Sequence, residues 1–482
     1  VELALSIFLL HRFDAGSYDL QFVERLRWIP EIGVSYFLGV DGISLWLVLL
    51  SNFLVPLIII GSWKSINQRF RLFHGCLFVL QTAMLGTFLA MDSILFYVFW
   101  ELSLVPMYFM IGIWGGSRRI YATTKFFIFT MAGSVLMLVA IIYMMFLTKS
   151  VFGQMSASLL DFYRLQIPFF AGTFFSPQTL LFFAFALAFA IKIPTFPLHT
   201  WLPDAHVEAP TPGSVILAGV MLKMCTFGFL RFVLPLFPEA VTEWSWLFLL
   251  LGVVGIVYGA LVAMVQPDIK KLVAYSSVSH MGYILVGLFA LNSESVSGAL
   301  YQMLNHGIST GALFFLVGMI YERTHTRQVA DYGGLASAMP WYTILFLIVT
   351  FSSIADPLTN GFVGEFLILL GTFKVNKLIA AIATTGAVLG AAYMLWMVKK
   401  VFYGPDGKVM TEHKSELSDV NGRELAVLLP LVAMVFWMGV YPNIFLGKSS
   451  ASVEYLVKNI NDYRLNTAIG NQPVAKTESG AQ

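Results

Sequence analysis

Glu101, Lys192, Lys223, His280, His306 and Glu365 each lie inside a long apolar stretch of this 482-residue chain. An ionisable residue at the centre of a membrane-spanning helix costs about 2.5–3.5 kcal/mol on the mildest insertion scales, so it needs a partner or a task. Carboxylate, amine and imidazole groups all take up and release protons, so together they suit proton transfer rather than covalent catalysis. Glu101 sits in Phe99-Trp100-Glu101-Leu102, and Lys192 just before a proline cluster. A fixed salt bridge between them is the plain reading. Buried pairs stabilise weakly against an apolar alternative, however, which favours a switchable pair. Lys192 would end a half-helix, where the dipole and freed carbonyls favour a cation. Burial disfavours its charge and a nearby carboxylate restores it, so moving Glu101 would load or release a proton. Lys223 lies about ten residues into its span, too deep to snorkel easily, and reads as a central relay. A lone histidine in an apolar span is often a packing residue. His280 and His306, on consecutive spans beside Ser276, Ser277, Ser279, Asn305 and Ser309, read better as a hydrated path. Glu365 would be its titrating terminus, while His74 and His199 read as peripheral.

These residues need helices to hold them in a bilayer. The chain is 58% hydrophobic and 12% charged, against about 25% charged in soluble domains. Apolar runs near 20 residues recur and are apolar all round, enough to cross a hydrocarbon core of roughly 30 Å. Full spans are expected near 41–63, 72–90, 92–113, 121–147, 178–200, 213–234, 244–265, 271–291, 296–320, 340–371, 377–403 and 424–448, with 1–10 as the tail of another. The authentic protein is therefore expected to start earlier. Polar stretches at 12–40, 149–177 and 404–423 read as linkers, and the chain from Lys458 as a solvent-exposed or disordered tail. Alternating the spans gathers Lys64, Arg69, Arg71, Arg118, Arg119, Lys270, Lys271, Arg323, Arg327, Lys399 and Lys400 on one side, which becomes cytoplasmic or matrix-facing by the positive-inside rule.

Two spans carry breakers: Lys192-Ile193-Pro194-Thr195-Phe196-Pro197, where the prolines free the carbonyls of Ala190 and Ile193, and Ala355-Asp356-Pro357-Leu358-Thr359-Asn360-Gly361. Broken helices survive in a bilayer only where protein or a water-filled cavity satisfies the freed groups. Each break falls in the fourth span of a set of five, at 72–234 and 244–403. An odd count per repeat makes the two copies inverted, as in ion carriers. Residues 1–71 then form an N-terminal region, 404–457 a C-terminal helix and 458–482 the tail.

The sequence carries no phosphate-binding loop, dinucleotide fingerprint, zinc-ligand spacing or nucleophile elbow. Cys76 and Cys225 stand alone in apolar spans and read as packing residues, and a net charge of +2 leaves no footprint for nucleic acid. Driving energy must come from a partner or from another ion gradient.

The run Phe96-Tyr97-Val98-Phe99-Trp100-Glu101-Leu102-Ser103-Leu104-Val105-Pro106 resembles the glutamate-bearing helix of the M-type (chain 4) antiporter-like subunits of NADH:quinone oxidoreductase, respiratory complex I. Leu198-His199-Thr200-Trp201-Leu202-Pro203-Asp204-Ala205-His206-Val207-Glu208-Ala209-Pro210, Tyr275-Ser276-Ser277-Val278-Ser279-His280 and Gly361-Phe362-Val363-Gly364-Glu365-Phe366 are similar to that family's signatures. The resemblance covers residues 1–450. It implies an all-α integral membrane fold of fourteen helices, of which this chain would lack the first and most of the second, with two inverted five-helix repeats and two discontinuous helices.

It further implies Glu101 and Lys192 as the coupled pair, Lys223 as relay, His280 and His306 as the hydrated connection and Glu365 as terminus. A glutamate at the last position resembles the M type; sister subunits typically carry lysine there. The resemblance implies no cofactor in this chain, with FMN, iron–sulfur clusters and quinone in partner subunits. Neighbouring antiporter-like subunits, a lateral helix and lipid are the implied partners, in a bacterial or mitochondrial inner membrane. At the second break the family usually reads Ile-Gly-Leu-Pro-Gly. Here Ile354-Ala355-Asp356-Pro357-Leu358 replaces both glycines and adds a carboxylate.

Three alternatives compete. A multi-subunit sodium/proton antiporter or membrane-bound hydrogenase subunit shares the scaffold, but Glu365 and the Trp100-Glu101 context favour complex I. A membrane cytochrome would use His280 and His306 as haem ligands. A passive scaffold would need the buried charges for assembly alone.

Overall fold

The structure, a computed structural model, describes residues 1–414 and 417–470. A short helix α1 (Glu2–Arg12) leads into an antiparallel hairpin of β1 (Gln21–Ile29) and β2 (Val34–Val40). The stretch expected as a linker at 12–40 is thus ordered. Its turn needs Gly33, at φ +70°, where any side chain would strike the Met155 carbonyl.

Helices follow: α2 (Ser44–Ser62), α3 (Phe70–Leu89), α4 (Ser93–Leu102), α5 (Leu104–Trp114), α6 (Arg119–Phe152), a single turn α7 (Leu159–Phe162), α8 (Pro177–Lys192) and α9 (Trp201–Glu208). The span at Thr211–Leu236 is composite, with α10 (Thr211–Ile216), α11 (Leu222–Gly228) and α12 (Leu234–Leu236) separated by π turns at Leu217–Met221 and Phe229–Val233. Then come α13 (Pro238–Met264), α14 (Ile269–Phe289), α15 (Ser293–Thr324), α16 (Pro340–Ser353), α17 (Asn360–Val375), α18 (Lys377–Phe402), α19 (Lys408–His413), α20 (Gly422–Val440) and α21 (Pro442–Gly470).

Among the described residues, ten helices are long and apolar enough to cross a membrane, which makes this a multi-pass integral membrane protein. The two expected spans that fall short, beginning with Pro177–Lys192 and Pro340–Ser353, are those with the breakers. The most apolar stretches of the composite span and of α15 are wholly buried and that of α14 is 94% buried, whereas that of α18 is only 28% buried. Lys223, His280 and His306 ride on those central helices, shielded from lipid by a ring of others. Helices pack closely where side chains vanish, as at Gly282, where a Cβ would meet the Gly252 carbonyl and the Ile256 amide.

One boundary needs correction. The expected C-terminal span at 424–448 ends at Val440, because Pro442 offers no amide to continue the ladder and starts α21 instead. α21 then runs past Lys458, so residues 458–470 are helix, not tail; 471–482 lie outside the described residues. Phe445, Ser449, Ser452, Val453, Leu456, Val457 and Ile460 are buried at helical spacing, a stripe that outweighs the polar composition. That stripe packs against the start of α2: Gly42 N donates to Ser452 Oγ at 3.0 Å and Trp46 Nε1 to the Phe445 carbonyl at 2.9 Å.

Candidate proton-transfer path

Lys192 ends α8, where Pro194 and Pro197 stop the helix. The Ala190 carbonyl, expected free, is taken by the Thr195 amide at 3.1 Å, and the Ile191 carbonyl accepts Trp201 Nε1 at 2.7 Å. Lys192 is 1% exposed. Its ammonium donates to Ser103 Oγ at 3.2 Å and lies 3.8 Å from the centroid of the Trp100 ring. No ion pair joins it to Glu101, whose Oε1 has no hydrogen-bond partner. The expected pair is therefore within electrostatic reach but makes no contact.

Lys223 lies in α11 between the two π turns, and its ammonium donates to the Ala218 carbonyl inside the first of them at 2.5 Å. Such π turns re-aim side chains and recur at functional sites. The same nitrogen is 2.7 Å from His306 Nδ1. The His306 and His280 rings meet edge to face at 5.8 Å, and His280 Nδ1 is 3.1 Å from Glu365 Oε1. Gln302 Nε2 also donates to that oxygen, at 3.2 Å, while its own Oε1 accepts from Asn305 Nδ2 at 2.9 Å. Four of the six expected residues thus form a continuous series, on α11, α15, α14 and α17.

A small cavity of about 10 Å³, room for roughly one water, lies between the histidines and Gln302, Asn305, Ser309 and Ser352. Beyond it, Ser309 Oγ and Ser352 Oγ are 2.5 Å apart, and Ser352 Oγ donates to Asn360 Oδ1 at 2.6 Å, reaching the second break. Ser276, Ser277 and Ser279 instead donate to the carbonyls of Val273 and Ile256, so they serve helix packing rather than the cavity. That volume is far below the roughly 300–1,000 Å³ of cofactor pockets, which argues against a haem between these histidines.

At the second break Ala355 (φ +58°) and Leu358 (φ +74°) occupy the left-handed region that the missing glycines would adopt freely. Asp356 is exposed there, with its carbonyl accepting from Thr359, and it takes no part in the series.

The family described as NADH:quinone oxidoreductase/Mrp antiporter, TM, matches residues 90–390, and that described as NADH-ubiquinone oxidoreductase chain 4, amino terminus, matches residues 26–90. NADH-quinone oxidoreductase subunit M of Rhodobacter capsulatus is 48% identical over 463 residues, 95% of this chain and 89% of that protein. The chain belongs to the subunit M family of NADH:quinone oxidoreductase. A chain of respiratory complex I from Thermus thermophilus with bound NADH superposes with a TM-score of 0.86 at 33% identity, covering 95% of this chain and 93% of that one. The Mrp complex from Dietzia sp. DQ12-45-1b matches at 0.79 with 19% identity, covering 95% and 92%, a likeness of fold alone.

Around the subunit M series stand residues that reading the sequence passed over. Trp100 and Ser103 hold Lys192, and Gln302 holds Glu365; neutral side chains inside an apolar run give no signal of their own. His206 is fully buried within α9, stacked on Phe314 at 4.6 Å and within electrostatic reach of Lys223 and Lys270. Its burial among cations was not visible from spacing. His199, read as peripheral, is 3% exposed and packs against Tyr258 at 5.0 Å.

Proposed function

We propose that this chain carries protons across the membrane as the subunit M of a respiratory complex I, driven by electron transfer in partner subunits that hold FMN, iron–sulfur clusters and quinone. One observation carries the reading. Lys223, His306, His280 and Glu365 follow one another at 2.7, 5.8 and 3.1 Å, all four side chains buried, three of them on the central helices and Glu365 on the inner face of α17. Apolar packing alone would not gather two amines, two imidazoles and a carboxylate in a bundle core, where each costs free energy to desolvate. Glu101 and Lys192 form the switch at one end of the series and Lys223 is the relay. The histidines pass the proton across the cavity, and Glu365 is the terminus. Neighbouring antiporter-like subunits and a lateral helix are the partners that would transmit the driving force.

The test is proton pumping in vesicles reconstituted with Lys192→Ala complex, alongside assembly level and quinone-reductase rate. Collapse of pumping in assembled complex supports the relay. A wild-type proton-to-electron ratio would reduce Lys192 to a structural residue and sink the mechanism. A sodium requirement for pumping would point instead to cation antiport on the same scaffold.

A further inference from the structure

Lys192 does not contact the carboxylate one residue away from its neighbour. It contacts an indole and a hydroxyl. We propose that Trp100 and Ser103 form a second seat for the Lys192 ammonium, so that Lys192 alternates between this seat and Glu101. The proposal rests on the relay reading above and names the state that the open pair requires.

The seat is built, not incidental. The Ser103 hydroxyl donates to the Trp100 carbonyl at 2.7 Å, which leaves its lone pairs for the ammonium at 3.2 Å. Trp100 is 1% exposed, stacked on Phe96 at 5.8 Å and edge to face with Phe189 at 5.4 Å, so the ring cannot turn away. Its negative face receives Nζ at 3.8 Å from the centroid, with both side chains buried. Ser103 marks the junction of α4 and α5, where Pro106 removes an amide from the following turn.

The physical need is plain. An ammonium that leaves the half-buried Glu101 carboxylate for an apolar surface faces the full cost of desolvation, and the closed ion pair would then be a trap. An aromatic face plus one hydroxyl lowers that cost without fixing a second negative charge. Trp100 and Glu101 are consecutive and project about 100° apart on the helix. The flexible four-carbon stem of Lys192 then reaches either by changing rotamers. A device that biases two states only modestly needs them close in energy, which the neutral seat supplies.

The experiment replaces Trp100 site-specifically by mono-, di- and trifluorinated tryptophan in the assembled complex, reconstituted in vesicles. Fluorine drains the ring face while nearly preserving its shape, so packing is held constant. The logarithm of the pumping rate should fall in a straight line with the cation affinity of the ring, by about tenfold across the series. Ser103→Ala should lower it further, and Ser103→Thr, which keeps the hydroxyl, should retain it. Unchanged pumping across the fluorine series, with pumping still lost in Lys192→Ala, overturns the seat and leaves the relay standing. Normal pumping in Lys192→Ala overturns both.

Discussion

Lys223 has one nitrogen shared between the Ala218 carbonyl and His306 Nδ1. Lys223→Met keeps roughly the length of the side chain but removes both of its hydrogen bonds, a cost of about 1–3 kcal/mol where a buried group loses its partner. Assembly should weaken modestly, and the proton-to-electron ratio of the assembled complex should fall. An unchanged ratio would remove Lys223 from the series. Leu358 shows the opposite situation. It is 68% exposed, so it packs little, yet it holds a left-handed backbone at φ +74°. That conformation costs a side-chain-bearing residue about 1–2 kcal/mol, against roughly 0.5–1 kcal/mol of extra chain entropy for glycine. Leu358→Gly should therefore be neutral to stabilising by about 0.5–1 kcal/mol, read as a higher thermal midpoint. A lower midpoint would mean that the leucine side chain holds the break in place.

At the scale of elements, buried ion pairs join helices that the path depends on. Arg231, at the end of the composite span, meets Asp41 before α2 at 2.8 Å, with both side chains under 10% exposed. Burial pushes the Asp41 carboxyl up, but the Arg231 guanidinium and the Ser44 hydrogen bonds outweigh it and hold it below its ordinary 3.8. The pair therefore contributes its full stability above that pH and loses it as pH falls through the lower folded value. Asp41→Asn leaves a buried guanidinium uncompensated and should cost about 3–5 kcal/mol. Adding Arg231→Leu should recover most of it, and a double variant no more stable than the single would refute the coupling. On the opposite face of the bundle, Arg323 grips Glu424 with two hydrogen bonds of 2.9 and 2.7 Å, tying α15 to α20. α15 carries His306 and Gln302, so this tie also positions the path.

For the molecule as a whole, the ring of lipid-facing helices around a fully buried axis separates the path from the bilayer. Cys225 samples that axis: it is fully buried and within electrostatic reach of both Lys192 and Lys223. A membrane-impermeant maleimide should leave Cys225 unlabelled in folded complex and modify it only after denaturation. Rapid labelling in the folded state would reveal an aqueous opening on the axis wide enough for the reagent.

The sequence alone determined the bilayer as the solvent, the positions of the spans, the two breaks and the six ionisable residues. Each of these is local: run length, a proline, a charge that hydrocarbon penalises. The hairpin at 21–40 and the helix beyond Lys458 escaped, because weak alternation and a buried stripe at helical spacing are easily masked by polar composition. The tertiary structure decided who touches whom. Spacing along one helix says nothing about the rotation of the next, so only packing could place Lys223 on His306, His280 against Glu365, and Lys192 on Trp100 rather than on Glu101.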